Sequence, residues 1–318
     1  MKKATILLVL LTVMFCATPS AYSVEMGSIS SAECRSGSFA FPSQTDTYTL
    51  SGQAGQTVVI NMSTETGGID PVISLYDPDG LLETSATCAP ECFYTSLEGW
   101  QLSKSGLYTI LVSDHSGNEA GDYSLCLLLI PGSTVSEQDP DGGDILSGET
   151  KPGQISPNAD TDGYIFNGNA GDTARLDMSS LVNVDPSIYL YDPDGLLEAS
   201  AFCYPECFHT TLEQQLLKSG VYTVVLKDGQ GNETDQYSFS FSRIPGPQIA
   251  PSVRLNLNQT VLHPGDTLIV TAHASNGPSL AIVEFKTWLQ QPDGRQNSLL
   301  NPHYKLKLAP NDEFSIEI

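Results

Sequence analysis

Residues 70–98 read DPVISLYDPDGLLETSATCAPECFYTSLE, and residues 185–213 read DPSIYLYDPDGLLEASAFCYPECFHTTLE. The two stretches are identical at 22 of 29 positions and lie 115 residues apart. The match extends outward. Thr45-Asp46-Thr47-Tyr48 answers Thr161-Asp162-Gly163-Tyr164, Lys104 to Tyr108 answers Lys218 to Tyr222, and Ile130-Pro131-Gly132 answers Ile244-Pro245-Gly246. A unit of about 100 residues is a domain by size, not a short solenoid repeat.

Within each unit the apolar period is two. Val58, Ile60 and Met62 alternate with Val59, Asn61 and Ser63; their partners are Ala174, Leu176 and Met178 against Arg175, Asp177 and Ser179. Tyr108, Ile110 and Val112 share a face, as do Tyr123, Leu125 and Leu127, and the second copy repeats both patterns. Such alternation puts one set of side chains in a core and the other outside. Asp77-Pro78-Asp79-Gly80 and Asp192-Pro193-Asp194-Gly195 fit type I turns, with Pro presetting φ and Gly relaxing the exit. No stretch keeps a helical period. The reading is all-β: tandem jelly-roll-like antiparallel β-sandwiches followed by a short third β-domain.

The flanks complete the organisation. Lys2 and Lys3, the apolar run Ile6 to Phe15 and Ala21-Tyr22-Ser23 read as an export signal over 1–23, too short to span a bilayer. Cys16 follows Phe15, where a lipobox wants a small residue, and goes with the removed segment. The first sandwich spans 24–132, a Pro/Gly/Asp linker 133–144, the second sandwich 145–247 and the third β-domain 252–318. That last segment ends on a strand pattern, Phe314 to Ile318, and reads as truncated.

The formal charge is −23, and losing Lys2 and Lys3 with no acid makes it −25. A strongly anionic chain is a poor ligand for nucleic acid or anionic membranes, whose attraction comes from cationic patches. It is compatible with divalent cations or with solubility alone.

The order Tyr48 to Val58, Asp70 to Gly80 and Ser105 to Ile110, repeated at Tyr164 to Thr173, Asp185 to Gly195 and Ser219 to Val224, resembles the bacterial pre-peptidase C-terminal domain. The resemblance covers about two thirds of the chain. It implies a sandwich appended to secreted hydrolases and other extracellular proteins, some of which bind collagen or other polymers and some calcium. The chain departs from the family after each Asp-Pro-Asp-Gly turn. Cys88-Ala-Pro-Glu-Cys92 and Cys203-Tyr-Pro-Glu-Cys207 replace a Gly/Asp-rich loop. The segment around His263-Pro264-Gly265-Asp266 is similar to Ig-like domains.

Six cysteines follow the signal, and in an exported protein disulfides are expected. Cys88/Cys92 and Cys203/Cys207 recur in both copies. Cys34 and Cys126 occur only in the first, aligned with Thr150 and Ser240, and two cysteines absent together are a lost pair. The expected bonds are Cys34–Cys126, Cys88–Cys92 and Cys203–Cys207. On the chain-entropy model the long bond contributes about 4–5 kcal/mol and each short one about 2 kcal/mol. A redox pair would want Cys-x-x-Cys at a helix start. A zinc site using His209 fails in the first copy, which has Tyr94 there.

No nucleophile elbow, zinc-helix motif or phosphate loop is present. Asp114-His115-Ser116-Gly117 looks catalytic, but its counterpart is Asp228-Gly229-Gln230-Gly231, so the repeated fold does not use it. No catalytic residue is assigned, and the chain is expected not to be an enzyme. Calcium is the chemical candidate, through the recurring Asp70, Asp77, Asp79, Asp185, Asp192 and Asp194, whose hard oxygens suit it. The competing and commoner use of such aspartates is to bond their own turn backbone. Trp100 and the outward-parity Tyr189 and Tyr191 could stack on a ligand, but the first copy has Ser74 and Tyr76 at the latter two positions and Gln214 or Gln215 replaces Trp100, so the aromatic patch is not shared and packing is favoured. The expected function is a secreted, non-catalytic binding or adhesion protein with a polymer or protein ligand. The alternative is a structural spacer or accessory part of a secreted hydrolase.

Overall fold

The computed structural model describes residues 22–203 and 207–246, and beyond them 252–257, 270–275, 281–285, 288–290, 295–298, 304–308 and 313–317. The strands of the first repeat are β1 (Tyr22–Ser28), β2 (Glu33–Phe39), β3 (Gln44–Gly52), β4 (Thr57–Thr64), β5 (Pro71–Tyr76), β6 (Leu82–Thr87), β7 (Tyr94–Gln101), β8 (Gly106–Asp114) and β9 (Gly121–Ile130). Those of the second are β10 (Gly142–Asp144), β11 (Thr150–Ile155), β12 (Thr161–Gly168), β13 (Thr173–Ser180), β14 (Pro186–Tyr191), β15 (Leu197–Phe202), β16 (His209–Gln215), β17 (Gly220–Asp228) and β18 (Asp235–Ile244).

The first repeat folds into sheets β1-β3-β8-β5-β6 and β2-β9-β4-β7. The second repeats this order as β10-β12-β17-β14-β15 and β11-β18-β13-β16. Pairing is antiparallel except where β1 and β10 run parallel to β3 and β12. The protein is all-β, and no helix among the described residues is long and apolar enough to cross a membrane. Beyond residue 251, strands Ser252–Leu257, Val270–Ser275 and Glu313–Glu317 form one sheet, and two hairpin-like pairs lie between.

The inward alternates close each core. Tyr48, Ile60, Met62, Ile73, Leu75, Tyr108, Ile110 and Tyr123 fill the first, and Tyr164, Leu176, Met178, Ile188, Leu190, Tyr222, Val224 and Tyr237 the second. Each large apolar side chain so removed from water contributes about 1.5–3 kcal/mol. The Asp-Pro-Asp-Gly turns close as read: the Gly80 amide donates to the Asp77 carbonyl at 2.9 Å, with Gly80 at φ +77°. The residues read as the end of the export signal, Tyr22 and Ser23, pair with Gln44 and Thr45 in β1. The last three linker residues are β10.

The outward alternates are not all outside. Every residue of β4 is buried, because the outer face of the β2-β9-β4-β7 sheet packs on the outer face of the β10-β12-β17-β14-β15 sheet. Ala32, Val59, Leu128 and Ile130 meet Tyr191 and Val225 there, with Tyr189 at the margin. At the same seam Lys227, 3% exposed, forms an ion pair with Glu98 and sits over the Tyr94 and Tyr189 rings at 5.4 and 4.9 Å. Burial alone would lower the Lys227 pKa. The attraction of Tyr94, Glu98 and Tyr189 outweighs it and keeps the ammonium charged.

Candidate metal centre

Beside this seam, the start of β12 and the linker bring acids together. Asp162 lies on the inward parity of β12, two residues before the core Tyr164, and is 0% exposed. Asp160 precedes the strand at a turn, its amide donating to the Pro157 carbonyl at 3.2 Å. Its carboxylate accepts from the Ser156 and Thr161 amides, each at 2.7 Å. The linker contributes Asp139, fixed by its own turn: the Ser136 amide donates to the Asp139 carbonyl, and the Asp139 amide to Ser136 Oγ. One oxygen from each of Asp139, Asp160 and Asp162 lies within 4.8 Å of the others. Asp141 is close enough for its charge to act on all three.

Among the described residues neither carboxylate oxygen of Asp162 has a hydrogen bond of acceptable geometry, although the Tyr237 hydroxyl and the Asp139 carboxyl lie beside it. Leaving a buried acceptor unpaired costs about 1–3 kcal/mol, and more for a charged one. All three carboxyls are pushed above the ordinary range. Burial is the largest cause for each, followed for Asp160 by the charge of Asp139 and for Asp162 by that of Asp160. A calcium ion with oxygens at about 2.3–2.6 Å spans about 4.6–5.2 Å between opposite ligands. The spacing, the all-oxygen donor set and the poorly bonded Asp162 carboxylate therefore fit a hard divalent cation.

The first sandwich handles the same corner differently. Gln44 stands where the second has Asp160, and its amide donates to Asp46 at 2.8 Å. The Tyr123 hydroxyl donates to the other Asp46 oxygen at 2.7 Å. The buried acid is thus fully bonded by neutral groups. In the second copy Tyr237 meets the Tyr164 hydroxyl at 3.0 Å and lies beside Asp162, but among the described residues neither Asp162 oxygen has a well-formed hydrogen bond.

The aspartates singled out by their recurrence lie elsewhere. Asp77 and Asp79 converge on Lys104 at 2.5 and 2.6 Å, and Asp192 and Asp194 on Lys218 at the same distances. Lys104 and the turn amides hold the Asp77 carboxyl below its usual range. Asp70 accepts from the Cys92 amide at 3.2 Å and Asp185 from the Cys207 amide at 3.1 Å, tying each cysteine loop to a strand end. Cys34 is bonded to Cys126, Cys88 to Cys92 and Cys203 to Cys207. Cys34 and Cys126 stand directly opposite each other between β2 and β9, and Thr150 and Ser240 occupy the same pairing in the second copy. Being bonded, the two sulfurs near Asp160 offer no thiolate to a metal.

Asp114 takes the Asp70 and Asn118 amides, each at 3.0 Å, while the His115 amide donates to the Asp70 carbonyl at 2.8 Å and its ring meets Thr87 at 3.3 Å, so this group serves the loop. Trp100 donates its indole N–H to Glu83 at 3.0 Å.

No protein family matches the chain by sequence, and no curated protein does. Solved structures similar to parts of it include the pre-peptidase C-terminal domain of a collagenase from Bacillus anthracis, at 17% identity and TM-score 0.27, over 35% of this chain and 98% of that one. Another is PliG of Aeromonas hydrophila, a periplasmic inhibitor of g-type lysozyme, at 17% identity and TM-score 0.26, over 34% and 98%. A third is the M60 catalytic domain with two CBM51 domains of ZmpB from Clostridium perfringens, at 9% identity and TM-score 0.23, over 63% and 33%.

Proposed function

We propose that the chain is a secreted, non-catalytic binding protein. Its modules are two pre-peptidase C-terminal-like sandwiches (24–132 and 145–247) and an Ig-like segment (252–318). The second sandwich carries a calcium site made of Asp139, Asp160 and Asp162, with Asp141 at its edge. The observation that carries the site is the buried carboxylate of Asp162, neither oxygen of which has a well-formed hydrogen bond among the described residues. Calcium belongs there and not at Asp77, Asp79, Asp192 and Asp194, because Lys104 and Lys218 already lie between the carboxylates of each turn, while Asp70 and Asp185 accept from the amides of the cysteine loops. A site in only one of two repeats makes the corner a specialised feature. The ligand is an extracellular polymer or protein.

Titration calorimetry of mature 24–318 tests the site. One calcium per chain is expected, and Asp162→Asn should weaken it beyond the roughly 10–100-fold that removing an outer partner costs. No heat, or an unchanged Asp162→Asn, would end the calcium reading. Pull-downs on insoluble collagen, chitin, cellulose and peptidoglycan, with calcium or chelator, test the ligand. Saturable binding supports the binding module. Its absence from every polymer favours the spacer, a role that a docked pair of sandwiches also suits.

A further inference from the structure

The acid corner belongs to the second sandwich, but the first sandwich covers it. Asn61 on β4 is 1% exposed, and its amide nitrogen reaches both neighbours of Asp160: the Thr161 hydroxyl at 2.5 Å and the Ala159 carbonyl at 3.3 Å. The Asn61 oxygen accepts from the Tyr94 hydroxyl at 3.0 Å and Ser96 at 2.6 Å, so one amide ties β7 to the residues on either side of an acid. Cys34 Sγ lies 3.3 Å from the Asp160 carboxylate. Arg35 donates to Gln138 at 3.2 Å, next to Asp139. Both arms of the acid cluster, the linker and the start of β12, are therefore held by strands of the first sandwich.

We propose that a cation at this corner and the docking of the two sandwiches reinforce each other, with Asn61 as the positioning residue between them. This rests on the calcium site proposed above. Crowding three carboxyls at one corner costs either mutual repulsion or the uptake of protons, and that cost works against the linker and the turn at 157–160 closing together. An ion reverses the sign and fixes residues 159–161 where Asn61 bonds them. Coupling of this kind is reciprocal: what the ion adds to docking, docking must add to ion affinity.

The test measures calcium affinity in variants that change no ligand, after wild-type binding has been established. Asn61→Ala removes the bridge and leaves the apolar contact. Val59→Arg with Leu128→Ser removes the apolar contact and installs the residues the second sandwich carries at those positions (Arg175 and Ser242), which that fold accommodates. Circular dichroism checks folding, and small-angle scattering reads the separation of the sandwiches. Each variant is expected to bind calcium roughly 5–150-fold more weakly, the usual span of a coupling between sites. Affinity within about twofold of wild type in Asn61→Ala overturns the proposal, whatever the other variant does. So does an undocked Val59→Arg/Leu128→Ser chain that binds as tightly as wild type. A wild-type chain that binds no calcium at all fails earlier, and ends the site and the coupling together.

Discussion

The two sandwiches agree inside and disagree outside. Their cores match position by position, Met62 with Met178, Tyr108 with Tyr222 and Tyr123 with Tyr237. On the outer face of the β4 sheet the first copy has Val59, Asn61, Tyr94 and Leu128. The second has Arg175, Asp177, His209 and Ser242. The reverse holds on the other sheet, where Ser74 and Ser113 answer Tyr189 and Lys227. Val59, Leu128 and Tyr189 thus stand on the face of each copy that meets the other, whereas Tyr191 and Val225 have the counterparts Tyr76 and Leu111 in the first copy. Docking is heterologous, and a heterologous contact propagates unless the next face is unsuitable. The outer face of β13 and β16 carries the ion pairs of Arg175 with Asp177 and Glu213, where the first copy has Val59 and Asn61 in place of Arg175 and Asp177. What both repeats share is the requirement of the fold; what only one has records its place in the molecule.

The long disulfide offers the largest test of that distinction. The second sandwich folds with Thr150 and Ser240 in the pairing that Cys34 and Cys126 occupy. Replacing the cysteines by those residues (Cys34→Thr with Cys126→Ser) asks whether the bond is only a staple. The chain-entropy model for a closure of this length gives a loss of about 4–5 kcal/mol from the first sandwich, read by urea unfolding. A loss under about 1 kcal/mol would mean that the unfolded chain gains little freedom from the cut, and that the bond has another purpose.

Next comes the seam. Tyr191 is 1% exposed against Val59, Leu128 and Ile130, although its strand alternation points it away from its own core. Truncating a fully packed aromatic to Ala costs about 3–5 kcal/mol. Tyr191→Ala should lower the unfolding free energy by that amount and separate the melting of the two sandwiches in calorimetry. The first-copy counterpart, Tyr76, lies on a face with no docked partner among the described residues, and Tyr76→Ala should cost much less. Equal losses would show that the seam adds nothing to this position.

The acid corner gives a smaller effect, and one whose sign depends on the cation. Asp160→Gln rebuilds the arrangement of Gln44 and Asp46, giving Asp162 an amide donor and removing one of three crowded carboxyls. In chelator the variant should be more stable than wild type by about 1–3 kcal/mol, the cost of an unsatisfied buried acceptor. In calcium the order should reverse, because only wild type gains from the ion. If calcium leaves both proteins unchanged, the corner is a strained acid cluster without a ligand.

The sequence showed these regions unequally, for physical reasons. Strands and turns were legible because period-two alternation and Pro-Gly turns are local signals, doubled by the repeat. The Cys34–Cys126 pairing was legible because its two members vanish together. The packing role of Tyr189 and Tyr191 was half visible: an aromatic patch that the first copy does not share, with Ser74 at the position of Tyr189, pointed to packing, but not to which surface. The acid corner was missed. Its members come from a linker and a strand start about 20 residues apart, and recurrence drew attention to Asp77 and Asp192 instead. Those recur because every copy needs its turn. The available signal was the opposite one, the change from Gln44 to Asp160 beside an unchanged inward aspartate.

The smallest effect is expected on the outer face of β13 and β16. Arg175 reaches Asp177 at 3.0 Å and Glu213 at 2.8 Å, and Thr211 donates to Asp177 at 2.5 Å. Arg175 and Glu213 are about half exposed, and such pairs contribute little to stability. Arg175→Val, the first copy's residue at this position, should therefore leave the urea midpoint almost unchanged, and shift it less still in high salt. A clear drop that persists in high salt would mean that the network holds the β13–β16 pairing together. Arg175 would then be a structural residue of the second sandwich, not only a charge that keeps its outer face in water.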